Sequence, residues 1–219
     1  MQLSGNAVFH MYGGTIQDCH NTHSVSGGVL VNESASFLMD TETIIRCSGL
    51  QDGGGVIGNG SFNLNNGVIR ECADHWYGGG AVNIYGKNVS FTMNNRTLTN
   101  CSANQYGYGG AVFIYTENGS VNIWNGTITN STACNYGGGL FLYNGTAAIA
   151  KEVPLYNNTA GTAGDDIFVN SGRLTLGTVP EGLSLQKCKH SIDGWYEDGE
   201  VRWNETNKQS IFPVQVTAY

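Results

Sequence analysis

Apolar and polar residues alternate along most of this chain, and the alternation returns in units of 25 to 30 residues. Val8-Phe9-His10-Met11, Ser36-Phe37-Leu38-Met39, Ser61-Phe62-Asn63-Leu64, Ser90-Phe91-Thr92-Met93 and Ser120-Val121-Asn122-Ile123 are five versions of one strand. Five residues after the last of each comes Ile16, Ile44, Ile69, Leu98 or Ile128, and three later Cys19, Cys47, Cys72, Cys101 or Ser131. A sixth, weaker copy between Ala147 and Ala160 puts Asn158 at that position. Glycine corners follow, such as Gly53-Gly54-Gly55 and Gly78-Gly79-Gly80, and a third strand leaves each corner, as in Ala81-Val82-Asn83-Ile84.

The period is two, and no stretch keeps a helical period over three turns. A unit of three short strands cannot bury its own apolar face, but stacked units can, at the roughly 4.8 Å spacing of neighbouring strands. The pattern therefore predicts an all-β chain: a parallel β-helix, or solenoid, of about six coils over residues 1–178. The crossover rule makes its winding right-handed. Its interior is built of like-on-like ladders, Phe9–Phe37–Phe62–Phe91 and Met11–Met39–Leu64–Met93–Ile123–Ile149. Residues 179–219 lose the register and concentrate charge. They are expected to form a C-terminal β cap or to start a following domain, with Val201/Trp203 and Phe212/Val214/Val216 alternating as strands. No comparable cap precedes Val8, so the chain reads as a segment of a longer array.

Composition narrows the functional classes. Ten Lys+Arg against 17 Asp+Glu give a net charge of −7, and only 12% of residues are charged. Nucleic acids and anionic membrane surfaces both need clustered cations, so neither is an expected partner. No apolar run is long enough to span a bilayer, and no secretory leader pattern opens the chain. No cofactor is implied, and a monomer is expected.

The units running from Leu98-Thr99-Asn100-Cys101-Ser102-Ala103 to Gly109-Gly110-Ala111-Val112, with Tyr156-Asn157-Asn158-Thr159-Ala160, resemble two related repeat families. One is the chlamydial polymorphic outer membrane protein repeat. The other is the adhesin-like repeat of large surface proteins in gut bacteria and methanogens. The second is matched better by Ser90-Phe91-Thr92-Met93-Asn94 followed by Thr97-Leu98, and Gly164-Asp165-Asp166-Ile167 resembles the end of such arrays. Cys stands where those repeats more often carry Asn. The resemblance covers residues 7 to 178 and implies a pectin lyase-like fold, an extracellular, surface-attached location and a role in cell adhesion.

Four sets of residues could carry chemistry. Cys19, Cys47, Cys72 and Cys101 share one ladder, within disulfide reach, but parallel Cβ vectors suit a column of buried thiols better than a crosslink. Cys134 and Cys188 lie off it. Carboxylates are thin: Asp18, Arg46 and Glu71 read as an outward ion-pair ladder, Asp165 and Asp166 point to opposite faces, and Glu71, Asp74 and His75 have no second carboxylate rung beside them. Eleven Asn-x-Ser/Thr sequons occur, which fits either glycosylation or the Asn-rich composition of tight corners.

The fourth set is aromatic. Tyr85, Tyr115 and Tyr143 should fall at one outward position on successive rungs, with Phe113, Phe141 and Phe168 in a row beside them, preceded by Val31 and Ile57. Tyr77, Tyr108 and Tyr136 should stack just before the glycine corners. Aromatic rows on a flat β face suit sugar rings or a protein partner, and equally suit mutual support from rung to rung. Tyr85, Tyr115, Tyr143, Phe113 and Phe141 are thus the candidate ligand-binding residues, with no catalytic or metal-binding set beside them. The expected function is a non-enzymatic segment of a large extracellular adhesin-like protein that presents a rigid β-helix to host or microbial glycans or proteins. The rivals are a carbohydrate-active β-helix enzyme, of lyase or hydrolase type, and a pure spacer.

Overall fold

A computed structural model describes residues 1–23, 26–150 and 153–176, together with the backbone of the strands Gly194–Glu197, Glu200–Asn204 and Gln209–Ser210. Among them there is no helix. The chain winds as a parallel β-solenoid of about six turns, and each strand of an inner coil pairs with its equivalents one coil before and one coil after.

Each coil supplies four strands. The first ladder runs through Gln2–Leu3, Val29–Val31, Val56–Gly58 and Val82–Lys87 into the leading parts of Val112–Ile123 and Leu140–Ile149, then Ile167–Val169. The second joins Val8–Met11, Ser36–Ile45, Ser61–Arg70 and Ser90–Met93 to the trailing parts of the same two long strands and to Arg173–Leu176. The third includes Thr15–Gln17, Arg96–Thr99, Gly126–Thr129 and Leu155–Tyr156. A fourth, two residues wide, is additional to the three read from the sequence: Ser48–Gly49, Ala73–Asp74, Ser102–Ala103, Thr132–Ala133 and Thr159–Ala160.

The core fills with the predicted ladders. Phe9, Phe37, Phe62 and Phe91 are register partners, followed by Val121 and Ala147; Met11, Met39, Leu64, Met93, Ile123 and Ile149 form the next column. From Phe37 onward these side chains have no more than 2% of their surface exposed. Each buried Phe or Met contributes about 1.5–3 kcal/mol, and because like stacks on like, every coil both provides and receives a hydrophobic face.

Two corners explain why the coil is so thin. The residue before each Cys-column position, Asp18, Arg46, Glu71, Asn100, Asn130 and Asn157, is left-handed, with φ between 51° and 57°. Asn tolerates that conformation best among non-glycine residues, which accounts for its choice in the later coils. Across the solenoid, Gly27, Gly54, Gly80, Gly110 and Gly138 form a column lying directly against the fourth ladder, where a Cβ would meet backbone atoms.

Beyond the last full coil, Gly194–Glu197 lies parallel to Ile167–Val169, with Trp195, Tyr196 and Glu197 opposite Ile167, Phe168 and Val169. Glu200–Asn204 then pairs antiparallel with it and Gln209–Ser210 antiparallel with that strand. Cys188 and the predicted Phe212/Val214/Val216 strand lie outside the described residues.

Candidate functional site: an aromatic groove

In the first ladder Val112 and Ile114 turn inward with no exposed surface, so Phe113 and Tyr115 face out. The same alternation turns Phe141 and Phe168 out on the next two coils, in register with Phe113. On the earlier coils this row is Leu30, Ile57 and Asn83. Val31, expected in it, instead pairs with Gly58 and points inward with no exposed surface.

Phe113, Phe141 and Phe168 form a continuous stack, with ring centroids 5.5 and 5.3 Å apart and planes 1° and 15° from parallel. Tyr108 and Tyr136 stack alongside at 6.0 Å and 5°, each just before a left-handed glycine, Gly109 or Gly137. Tyr77, placed in that column by the sequence, stacks on the exposed Tyr106 at 5.8 Å instead. Tyr115 meets Tyr143 edge to face, centroids 5.0 Å apart and planes at 89°. They are not register partners: Tyr115 lies opposite Asn144, and the ladder slips on either side of that pair. The slip has a simple origin. Between the Ile114–Leu142 and Ser120–Thr146 pairs, five residues intervene on one strand and three on the next, and Tyr143 is passed over because Asn144 takes the place opposite Tyr115.

Together Tyr77, Tyr108, Phe113, Tyr115, Tyr136, Phe141, Tyr143, Phe168 and Asn170 line an open groove of about 490 Å³. Four of the five candidate residues therefore come together. Tyr85 is the register partner of Tyr115 but lies outside the groove, half-buried, its phenol pKa raised by burial and then by the charge of Asp52. The four are not equivalent. Phe141 is 3% exposed, whereas Tyr115 and Tyr143 are 48% and 44% exposed. Because the phenylalanines cover one another's faces, the groove floor presents ring edges, which carry the positive end of the aromatic quadrupole. Tyr115 is turned out of that stack and has the accessible ring.

A second polar group sits one coil earlier. Asp74 is completely buried, and its Oδ2 accepts hydrogen bonds from the Trp76 and Gly78 backbone N–H groups at 2.9 and 2.8 Å. Burial pushes its pKa up to about 7, against the opposing effect of those bonds, and the Asp52 carboxylate raises it further. The charge of a second carboxylate thus reaches Asp74, which the sequence spacing had not suggested. Asp52 is itself raised by burial, and its main-chain carbonyl accepts a hydrogen bond from Asn83 Nδ2. The bonds to Asp74 hold the loop that carries Tyr77 to the groove.

The remaining candidates are structural. Arg46 binds Asp18 through two bonds of 2.7 and 3.0 Å, but Glu71 is taken by its neighbour Arg70 rather than extending the ladder. Asp165 is exposed while Asp166 is buried and accepts a 2.7 Å bond from Asn158 Nδ2. Cys19, Cys47, Cys72, Cys101 and Cys134 are free thiols. The four ladder thiols donate to the carbonyl two residues back, at 3.3 to 3.5 Å, bridging the left-handed corner. The pKa of Cys47 is raised by its thiol neighbour Cys72 and by burial, and that of Cys72 chiefly by Cys101. Six of the eleven sequon asparagines, Asn88, Asn95, Asn100, Asn118, Asn130 and Asn157, have positive φ, so backbone geometry accounts for their identity. Comparison with family models, curated proteins and solved structures finds no match to this chain.

Proposed function

We propose that this chain is a non-enzymatic segment of an extracellular, surface-attached adhesin-like protein, and that its aromatic groove binds glycan. The groove carries the reading: a 490 Å³ depression lined by eight aromatic residues across neighbouring coils, on a scaffold whose ladders leave little freedom to collapse. Stacking of a sugar on an exposed ring contributes on the order of 0.5–1.5 kcal/mol by analogy with aromatic pairs, so a single groove binds weakly and gains strength when displayed many times on a surface.

A carbohydrate-active enzyme is the second reading, and the Asp52–Asp74 pair is what favours it. Asp74 is sealed from solvent, with Oδ2 engaged by two backbone donors, an arrangement that suits a loop anchor better than a proton donor to substrate. The test is a glycan-array and mucin-binding assay with a hydrolysis and lyase screen alongside, using the parent chain and a Tyr115→Ala/Tyr143→Ala variant whose fold is verified by circular dichroism. Binding by the parent and its loss in the variant is the expected result. Full binding by the variant would remove the groove from the function, and bond cleavage by the parent would favour the enzyme.

A further inference from the structure

The aromatic groove does not end at its tyrosines. Beyond Tyr115, Tyr143 and Asn170 the same three coils continue through residues 116–120, 144–146 and 171–173, which line an adjoining polar depression of about 930 Å³. On each coil the residue after the aromatic stretch opens the polar one. The two depressions therefore lie end to end along the strand direction, across the solenoid axis. A chain-like ligand that used both would cross the coils rather than follow the axis.

The charges in the polar stretch are unequal. Glu117 is held by Lys87 at 2.8 Å. Arg173 is exposed, and among the described residues no carboxylate lies within ion-pair distance of it. Its guanidinium offers a planar fork of donors that matches a carboxylate. The chain as a whole carries −7, however, which disfavours a densely charged polyanion. One cation beside one aromatic platform fits sparse charge.

Building on the glycan reading above, we propose that the composite groove takes an oligosaccharide in which uncharged and carboxylate-bearing sugars alternate, an uncharged ring lying on Tyr115 and a carboxylate meeting Arg173. Tyr115 then supplies contact area and Arg173 the discrimination between acidic and neutral chains.

The experiment is calorimetric titration of the whole chain with a hyaluronan hexasaccharide and with the same hexasaccharide after reduction of its carboxylates to alcohols, at low and physiological salt. The acidic form is expected to bind at least tenfold more tightly, with the preference shrinking as salt rises. Arg173→Gln should abolish that preference by weakening the acidic form far more than the reduced one, and Tyr115→Ala should weaken both about equally. Thermal melts of both variants serve as the fold control. Equal binding of the two forms, a preference that survives Arg173→Gln, or binding of neither when the array reports a neutral glycan would each overturn the acidic-ligand proposal and leave the glycan reading standing. If neither form binds and the array also shows no glycan of any kind, both fall together.

Discussion

Arg96 reaches over a whole coil to Glu42. The two occupy one column of the third ladder with Gly67 between them, and Arg96 Nη2 stands 4.0 Å from Glu42 Oε2, both side chains fully buried. A Cβ on Gly67 would collide with the Arg96 guanidinium and the Glu42 backbone, so the glycine makes the room. The pair is poorly satisfied. Arg96 Nη2 donates to the Met39 carbonyl, but Arg96 Nε and Nη1 and both Glu42 carboxylate oxygens have no hydrogen-bond partner. Burial pushes the Arg96 pKa down to about 10, leaving it cationic at neutral pH.

Breaking such a pair and replacing it should have opposite consequences. Arg96→Met alone strands a buried carboxylate and should destabilise by about 3–5 kcal/mol. The double substitution Glu42→Met/Arg96→Met removes both charges and should recover most of that loss. Urea unfolding of the three proteins at pH 7 provides the comparison, and a double variant as weak as the single one would show that the charges themselves stabilise the interior.

Asp74 makes stability depend on pH in the direction opposite to an ordinary surface carboxylate. Burial pushes its pKa in the native chain up to about 7, against 3.8 for a free aspartate side chain. Below pH 3.8 both states are protonated. Between about 4 and 7 the unfolded chain releases this proton while the native chain keeps it, so stability falls as pH rises, and above 7 the loss is complete. The loss amounts to a few kcal/mol, on the order of 1.4 per unit of pKa difference. Asp74→Asn retains an acceptor for the Trp76 and Gly78 amides and should flatten the profile between pH 4 and 8. Melting temperatures across that range decide it, and parallel profiles for the two proteins would locate the pH dependence elsewhere.

The cysteine column should remain a column of thiols under oxidising conditions. Cys47, Cys72 and Cys101 are about 1% exposed, and the raised pKa values of Cys47 and Cys72 keep thiolate scarce. Among the described cysteines only Cys134, which is exposed, and Cys19, which is half-buried, should react with a maleimide in the folded protein, the second more slowly because its pKa is also raised. Mass spectrometry after native labelling, followed by denatured labelling with a heavier reagent, reads each site. Failure of the ladder thiols to take the second label would mean they are crosslinked.

Rung-to-rung identity was legible because the solenoid demands it: Phe62 had to stack on Phe37 and Phe91 once the period was seen, and it does. Register was lost where coils differ in length between ladders. Val31 was placed in one row with Ile57, but Leu30 is the partner of Ile57 and Val31 pairs with Gly58, and Tyr143 drops out of line because it is the extra residue between the Ile114–Leu142 and Tyr115–Asn144 pairs. Arg96 and Glu42 were overlooked because an outward position is the default for a charged residue. The signal available was the presence of Gly67 and Gly126 at the positions stacked on Arg96, which leaves a space in the column that only a long side chain can use. In the groove, the identity of the aromatic rows followed from alternation, but ring orientation depends on rotamers that no periodicity encodes.

Gly110 tests the glycine column. Its φ is ordinary, so the constraint is close approach: a Cβ there would lie 2.5 Å from the carbonyl carbon of Thr132 and closer still to the Gly138 carbonyl oxygen. Neither neighbour is a side chain that can swing away. Gly110→Ala should cost about 2–4 kcal/mol and Gly110→Val more, whereas Gly13→Ala, with nothing within 4 Å, should be close to neutral. Equal melting temperatures for Gly110→Ala and Gly13→Ala would mean that the coils can separate at this corner without penalty.

The aromatic groove can be divided into residues that hold the scaffold and residues available to a ligand, and the two classes should respond differently to truncation. Phe141 is the middle ring of the Phe113–Phe141–Phe168 stack and also contacts Tyr108 at 5.0 Å and Tyr136 at 6.3 Å. With 3% of its surface exposed it behaves as a core residue on an outer face, and Phe141→Ala should cost about 3–5 kcal/mol. Because each coil touches only its neighbours, the damage should be confined to the coils around residues 108–168 and should leave amide-exchange protection near Phe37 and Phe62 intact. Tyr115 meets only Tyr143 edge to face and is half exposed, so Tyr115→Ala should cost no more than about 1 kcal/mol. Phe141→Leu, which keeps apolar volume but removes the stacking partner, should fall between the two. Hydrogen exchange and thermal melts on the three variants give the ordering. If Tyr115→Ala were as destabilising as Phe141→Ala, the exposed tyrosine would be part of the scaffold, and loss of glycan binding in its variants would no longer mark a binding site.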